Sequence, residues 1–252
     1  ANVERVLFDA RRAIGLRIVG GDILLNAGGE VILSAGAINS PQILMRSGIG
    51  PAADLAALGI EPLYNAPEVG ANLVDHLDIG IMARTRGHQA IGIAPRIIPR
   101  GVAALRDYWK HRSGMLTSNV AEAGAFLKSD PAQPRPNLQM HFLPALLRDH
   151  GRKTVLGYGL TLHICDLLPK SRGRITLISA DVAKAPKIDA GYLTHPDDVA
   201  TLLAGLKLGR KILAAPALAQ HIKHEMEPGP NAQDDAAPVS YTHLTLPTIY
   251  SV

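Results

Sequence analysis

The chain has 252 residues, 47% of them hydrophobic, which is enough apolar material for one large domain or two small ones. Its net charge is +4, from 26 basic and 22 acidic residues, and most basic side chains are scattered. This pattern argues against a nucleic-acid-binding protein, which usually concentrates basic residues beside a recognisable motif. The longest uncharged stretches contain polar residues, Gly or Pro, so we expect no transmembrane segment. The lone Cys165 rules out an internal disulfide framework and favours a reducing compartment, so we expect a cytoplasmic protein.

Three short strands open the chain and predict an antiparallel meander. Apolar runs at 3–8 and 13–19 indicate two strands, Gly20-Gly21-Asp22 is a hairpin-type turn, and residues 23–26 return. The glycine pair at Gly28-Gly29 is a second turn. Neither pair has the G-x-G-x-x-G spacing of a dinucleotide fingerprint.

The next segment combines a strand, a turn of small residues and a helix start. Residues 30–34 form an apolar run that predicts a strand buried on both faces. The run Ala35-Gly36-Ala37 leaves room for the backbone to approach a flat group. Asn39 or Ser40 is predicted to cap a helix rather than to contact a ligand, with Pro41 at its first position. Together these features predict a cradle for a cofactor.

The run at 36–50 resembles a signature of the glucose–methanol–choline oxidoreductases, which are flavoproteins that oxidise alcohols. Three later segments are similar to the same family in the expected order, and the resemblance covers about residues 1–235. These segments are 67–76 (with Glu68 where the family usually has Gly), 114–126 and 169–193.

The resemblance implies a fold between α/β and α+β, with two domains. Residues 1–76 would form a partial FAD-binding, Rossmann-like domain. Residues 77–226 would form a substrate-binding domain on a mostly antiparallel sheet with flanking helices, and 227–252 a linker and tail. Alternating and apolar patterns predict the later elements. These are strands at 77–85, 122–127, 137–143, 159–166 and 173–178, a loop or lid at 86–101, and helices at 101–112 and 196–214. Thr194 or His195 is predicted to cap the last helix, which Pro196 opens.

The family's chemistry implies an FAD-dependent enzyme that transfers hydride from a small-molecule alcohol to the flavin. The Val3 backbone is implied to contact the adenine end of FAD, and the turn after residue 34 to lie close to the cofactor. The segment that ends at His76 is implied to run near FAD, although a polar turn between two domains is an equal alternative. The implied FAD-binding residues are Val3, Ala35, Gly36, Asn72, Asp75 and His76.

Candidate residues on the substrate side are fewer. Glu122 falls on a strand that can face the substrate cavity in this family, where a carboxylate could bind a cationic or hydroxylated substrate. A surface or salt-bridged Glu is the alternative. His221 and His224 lie three residues apart, but no third ligand motif accompanies them, so we expect no metal site. His141 and His163 alternate within strands and are predicted to be partly buried polar residues.

The family's glycine-rich turn and its His-Pro-x-Gly-Thr-Cys-like catalytic segment are both missing from this sequence. We therefore expect an internal fragment with no catalytic residue of its own, inactive as given, in which residues 238–252 are either non-native or a divergent, disordered tail. The alternative is a folded module that binds neither flavin nor substrate. The alcohol and the electron acceptor stay open.

One looser group of basic residues has two interpretations. It can be a solvated surface, or a contact for an electron-accepting partner or an anionic surface. Its members are Arg96, Arg100, Arg106, Lys110 and Arg112.

Overall fold

The computed structural model describes residues 2–94, 97–148 and 151–229. Its elements, in chain order, are β1 (Val3–Asp9), β2 (Arg12–Ile18), β3 (Gly21–Leu24), α1 (Gly36–Arg46), β4 (Ile49–Gly50), α2 (Ala52–Ala57), β5 (Tyr64–Asn65), β6 (Asp78–Thr85), β7 (Gly92–Ile93), α3 (Ile97–His111), a short 3₁₀ turn (Met115–Thr117), β8 (Ala123–Leu127), β9 (Leu138–Leu143), β10 (Gly157–Asp166), β11 (Arg174–Thr176), β12 (Lys187–Asp189), α4 (Pro196–Leu213), α5 (Pro216–Ala219) and β13 (Ile222–Glu227).

The described chain divides into two compact units. The first contains residues 2–75 and Ser171–Thr194, and the second contains His76–Lys170 and the described residues from 195 to 229. The mixed α/β composition and the mostly antiparallel pairing confirm the predicted fold class. The sequence suggested one continuous second domain over residues 77–226, whereas the segment at 171–194 lies with the first unit. The assignment of FAD to the first unit and of the substrate to the second stays a prediction.

Backbone pairing explains why this segment joins the first unit. β11 pairs with β12, and the Ile175 N–H donates to the Gly70 carbonyl at 2.7 Å. Leu73 and Gly173 exchange two further backbone hydrogen bonds. The strand predicted at 173–178 therefore belongs to a small two-stranded sheet and not to the large sheet of the second unit.

The predicted meander is present in the first unit as a three-stranded sheet in the order β1-β2-β3. The buried strand predicted at 30–34 is wrong, because the structure shows neither a strand nor strand pairing there. Its residues alternate between half-buried and exposed, and Ile32 is 82% exposed. An apolar run indicates a tendency to be buried, but it does not supply the neighbouring strands that would bury it.

Helix α1 begins earlier than the sequence predicts. Its first residue is Gly36, so Asn39 and Ser40 lie inside the helix and Pro41 is an interior residue. Gly36 has a φ of +81°, a left-handed conformation that glycine adopts without steric cost, and this reverses the chain into the helix. The Ser40 hydroxyl instead accepts a hydrogen bond from the Ala35 N–H at 3.1 Å.

The second unit is built on one antiparallel sheet in the order β13-β6-β10-β9-β8, with β7 paired to β10. Helix α4 packs on β6, β9 and β10. The helix approaches the sheet closely because glycines lie at its contact face, and a Cβ on Gly205 would come within 2.6 Å of the Ile164 side chain. The core under the helix includes residues that are almost fully buried: Ile79, Ile81, Leu138, Met140 and Ile164.

The ends of the helices test the capping predictions for this unit. The Nδ1 atom of His195 accepts the Asp197 N–H at 3.2 Å, and Pro196 opens α4 as the sequence predicted. Helix α3 begins at Ile97, four residues before the predicted start, which places Pro99 in its first turn where proline is tolerated. Among the described residues, no helix is both long and apolar enough to cross a membrane.

Candidate functional site

The structure places the predicted site residues in both units. Val3, Ala35, Gly36, Asn72 and Asp75 lie in the first, and His76 and Glu122 lie in the second. The predicted tail at 238–252 lies outside the described residues.

The turn before α1 is small, exposed and open. Ala35, Gly36 and Ala37 are all exposed, and a Cβ built on Gly36 would meet no atom within 4 Å. No side chain caps the start of the helix, and its first turn carries no acidic residue. The first N–H groups of a helix have no partner within the helix and carry partial positive charge. The turn can therefore offer hydrogen-bond donors to a flat or electron-rich group placed against it.

Helix α1 is tied at its other end to β1, the strand that starts with Val3. The Arg46 Nε donates to the Glu4 carbonyl at 2.8 Å, and the Val6 N–H donates to the Ser47 hydroxyl at 2.8 Å. Burial lowers the pKa of Arg46. β1 is an edge strand of its sheet, and these side chains satisfy backbone groups on it. Val3 itself pairs with Ile18.

The segment that precedes the unit boundary forms a polar turn held by its own side chains. Asn72 has a φ of +58°, and its amide donates to Glu68 Oε2 at 2.9 Å. The Tyr192 hydroxyl donates to the carboxylate of Asp75. Glu68, which stands where the resembled family usually has Gly, thus stabilises the turn. Asn72 and Asp75 are exposed, so both interpretations of the segment stay open.

The two predicted residues of the second unit lie at the surface. His76 is exposed, and its charge lowers the pKa of the buried Asp166, although burial of that carboxyl is the larger effect and raises the pKa overall. Glu122 is exposed and precedes β8 by one residue. Continued alternation from β8 would place it on the same side of the sheet as Gly124.

Two histidines lie side by side on the sheet face opposite α4. Ile164 packs towards α4, so the adjacent His163 points to the other face. His163 is directly opposite His141 on β9 and Gly80 on β6, and His141 is directly opposite Gly124 on β8. Both histidines are half-buried, as the sequence predicted. The row is therefore two imidazoles flanked by two residues that have no side chain.

A carboxylate orients one of these imidazoles. The Nδ1 atom of His163 lies 2.5 Å from Oδ2 of Asp78, and both side chains are largely buried. A carboxylate on Nδ1 holds the proton on that nitrogen and makes Nε2 the basic nitrogen of the neutral ring. Sequence reasoning missed this pair because it depends on the register between β6 and β10. The available signal was that polar residues alternate with apolar ones in both segments.

No group of three His, Cys, Asp or Glu side chains that could hold a metal occurs within the described ranges. His224 is paired across the sheet with Arg84, a cationic neighbour that disfavours a bound metal ion.

Comparisons with known proteins support one family. Models of GMC oxidoreductases match residues 1–78 and 169–249. An alcohol dehydrogenase [acceptor] from Pseudomonas putida is 50% identical over 99% of this chain, which covers 46% of that protein. An oxygen-dependent choline dehydrogenase from Stenotrophomonas maltophilia is 36% identical over 94% of this chain, which covers 42% of that protein. The chain thus spans about half the length of these curated relatives.

Solved structures show the same fold at lower identity. A formate oxidase superposes with a TM-score of 0.82 at 23% identity, with 96% of this chain and 48% of that chain covered. Pyridoxine 4-oxidase from Mesorbium loti superposes with a TM-score of 0.75 at 24% identity, with 95% of this chain and 43% of that chain covered.

Proposed function

Because this chain belongs to the GMC oxidoreductase family, we propose that it serves an FAD-dependent oxidation in which hydride passes from an alcohol carbon to the flavin. The observation that carries the proposal is the exposed turn at 35–37, where a left-handed glycine begins a helix that no side chain caps, with open space beside it. A turn that served only to pack the core would be covered by apolar side chains. The sequence predicted the same turn and helix start as part of a cofactor cradle, although the strand predicted before them is absent.

The residues present fit a flavin nucleotide. Ala35 and Gly36 would lie against the cofactor, with N–H groups of the turn as donors, and the Val3 backbone would contact its adenine end. Asn72, Asp75 and His76 would border it. When bound, FAD accepts the hydride, and the protein supplies orientation and charge.

The alcohol would lie on the sheet face opposite α4. Gly80 and Gly124 carry no side chains, so they leave space beside the two histidines on this face. We propose that Asp78 holds the His163 ring so that its basic nitrogen can orient a hydroxyl group or accept its proton. Glu122 would attract a cationic or hydroxylated donor, in keeping with relatives that are named for alcohol and for choline. The catalytic His segment of the family has no match in this sequence, so His163 is the residue of this chain that we propose to act on the hydroxyl group.

The flavin proposal is tested by Gly36→Ala, with Gly28→Ala as the matched control. Both glycines have a φ near +80° and open space beside them, so both substitutions impose similar backbone strain. Only the methyl group at position 36 would stand between the turn and the flavin. We expect quenching of FAD fluorescence to show about ten-fold weaker binding, or more, for Gly36→Ala and near-parental binding for Gly28→Ala.

Equal FAD affinity in both variants would remove the turn from the flavin site. A purified, folded protein that binds no FAD at all would favour the alternative of an inert module. The chain alone is expected to be inactive. If it turns over an alcohol, His163→Asn should slow that turnover by about 10²-fold or more at saturating substrate, because the ring would accept the proton. Unchanged turnover with a raised KM would restrict His163 to binding.

A further inference from the structure

A second polar site lies at the other end of the sheet in the second unit. It is a pocket of about 300 Å³ where the end of β6, the loop after it, the start of β10 and β13 come together. Seven of its lining residues carry a charged, titratable or hydroxyl group: Arg84, Thr85, Arg86, His88, Tyr158, Lys223 and His224. No acidic residue of the described chain lines it.

The three permanent cations around this pocket have no acidic partner among the described residues. No described carboxylate lies within 4 Å of Arg84, Arg86 or Lys223. Arg84 donates one N–H to the Leu156 carbonyl, and Arg86 donates Nε to the Ile222 carbonyl at 2.9 Å. These bonds to the backbone fix the two guanidinium groups and leave their other donors for a ligand.

The acidic residues on β13 are engaged elsewhere. Glu225 accepts a two-pronged ion pair from Arg210, with contacts of 3.0 and 2.7 Å. Glu227 pairs with Arg148. The pocket therefore keeps a positive potential, and gathering three like charges without compensation costs free energy unless an anion binds between them.

A buried hydroxyl group adds a further donor. Tyr158 is only 9% exposed, and its hydroxyl has no hydrogen-bond partner in the described part of the chain. Buried hydroxyl groups are normally hydrogen-bonded, and an unsatisfied one on a residue that lines the pocket is accounted for if a ligand atom reaches it. The ring of His88 packs against the ring of Tyr158, with centroids 4.8 Å apart, and forms part of the same wall.

The pocket is separate from the proposed alcohol site. Asp78 is at the start of β6 and Arg84 is six residues further along the same strand, which corresponds to about 20 Å. A molecule in the pocket would therefore not touch the Asp78–His163 pair.

We propose that this pocket binds the phosphate group of a small phosphate monoester. Its wall offers guanidinium forks, an ammonium group and a hydroxyl donor, and a phosphate dianion accepts from all three and neutralises most of the charge. A carboxylate carries one charge and two oxygens, so it would satisfy fewer of these donors.

Inorganic phosphate is the probe, titrated into the purified protein by calorimetry at constant ionic strength, with acetate as the carboxylate comparison. We expect one saturable phosphate site per chain and weaker acetate binding. Arg86→Gln with Lys223→Gln should lower phosphate affinity at least about ten-fold, because two charge-assisted contacts are lost. Arg106→Gln with Lys128→Gln is the control, since both residues are exposed in the same unit and the change in net charge is equal.

Tyr158→Phe removes only the buried hydroxyl and should weaken phosphate binding with no loss of thermal stability. Vesicles containing phosphatidic acid, a lipid phosphate monoester, identify the source. Retention that the Arg86→Gln, Lys223→Gln variant loses would assign the phosphate to a lipid headgroup, and no retention would assign it to a soluble ester. The proposal is overturned if phosphate shows no saturable binding, if acetate binds as tightly, or if the pocket and control variants lose equal affinity.

Discussion

The two units of the chain differ in how completely their apolar surfaces are covered. In the second unit, α4 covers one face of the large sheet, and Ile81, Leu138 and Ile164 have no exposed surface. In the first unit, the core is a small cluster around Met45, Leu55, Ile175 and Leu177. The segment at 30–34 and the outer strand β3 leave large apolar side chains exposed, among them Ile23, Leu24 and Ile32.

This difference shows where each unit obtains its stability. The second unit encloses its core within its own sheet and helix, which gives it a substantial hydrophobic contribution. The first unit presents an apolar segment of the kind that proteins normally cover, so we expect it to be the less stable of the two. The exposed turn at 35–37 follows directly after that segment, so the surface proposed for flavin adjoins an apolar stretch that is poorly covered.

The largest expected effect is the difference in stability between two Ile→Ala variants, one in each unit. Ile164→Ala, at a residue with no exposed surface, should lower the free energy of unfolding by about 2–5 kcal/mol. Ile32→Ala should change it by less than about 0.5 kcal/mol, because the Ile32 side chain is already in solvent. Urea unfolding followed by far-UV circular dichroism measures both. Similar losses would show that residue 32 is buried in solution and that the contrast between the units is wrong.

The next largest effect on stability concerns the close contact between α4 and the large sheet. A methyl group on Gly205 would lie 2.6 Å from Ile164 and 3.1 Å from Leu138, so Gly205→Ala should destabilise the protein by about 1–3 kcal/mol despite the better helix propensity of Ala. In α3, Gly101 has open space, and Gly101→Ala should stabilise by about 0.5–1 kcal/mol. Thermal melts compare the two variants. Stabilisation by both would mean that the helix lies further from the sheet than the structure shows.

The smallest effect concerns the buried carboxyl group of Asp166. Burial raises its pKa above the ordinary value of 3.8. A raised folded-state pKa gives a contribution to stability that is present below about pH 3.8 and is lost as the pH rises through the folded value. Asp166→Asn keeps an oxygen to accept the Leu168 N–H, and it removes the buried charge. The variant should therefore gain stability relative to the parent as the pH rises from about 3.8.

Urea midpoints at several pH values would measure this trend. A relative stability that falls with pH would show that the ionised carboxylate is favoured in the folded protein, against the direction of its pKa shift.

Elements with local signals were predictable from sequence. The alternation of apolar and polar residues predicted the bounds of β9 and β10 to within two residues. The cap at His195, with Pro196 after it, predicted the start of α4. Predictions failed where structure depends on distant partners. The run at 30–34 could not reveal that no strand pairs with it, and Pro41 suggested a helix start that the left-handed Gly36 places five residues earlier. The family resemblance identified the turn, but the pairing of Asp78 with His163 required the register between two strands.

Hydrogen–deuterium exchange of the Gly36 and Ala37 amides, with and without FAD, tests the central claim most directly. The turn is exposed and no side chain caps it, so these amides should exchange rapidly in the protein alone. We predict that FAD slows their exchange markedly, while the exposed turn at Gly28 is unchanged. FAD that binds and protects other segments, with rapid exchange still at Gly36 and Ala37, would contradict the assignment of this turn to the flavin.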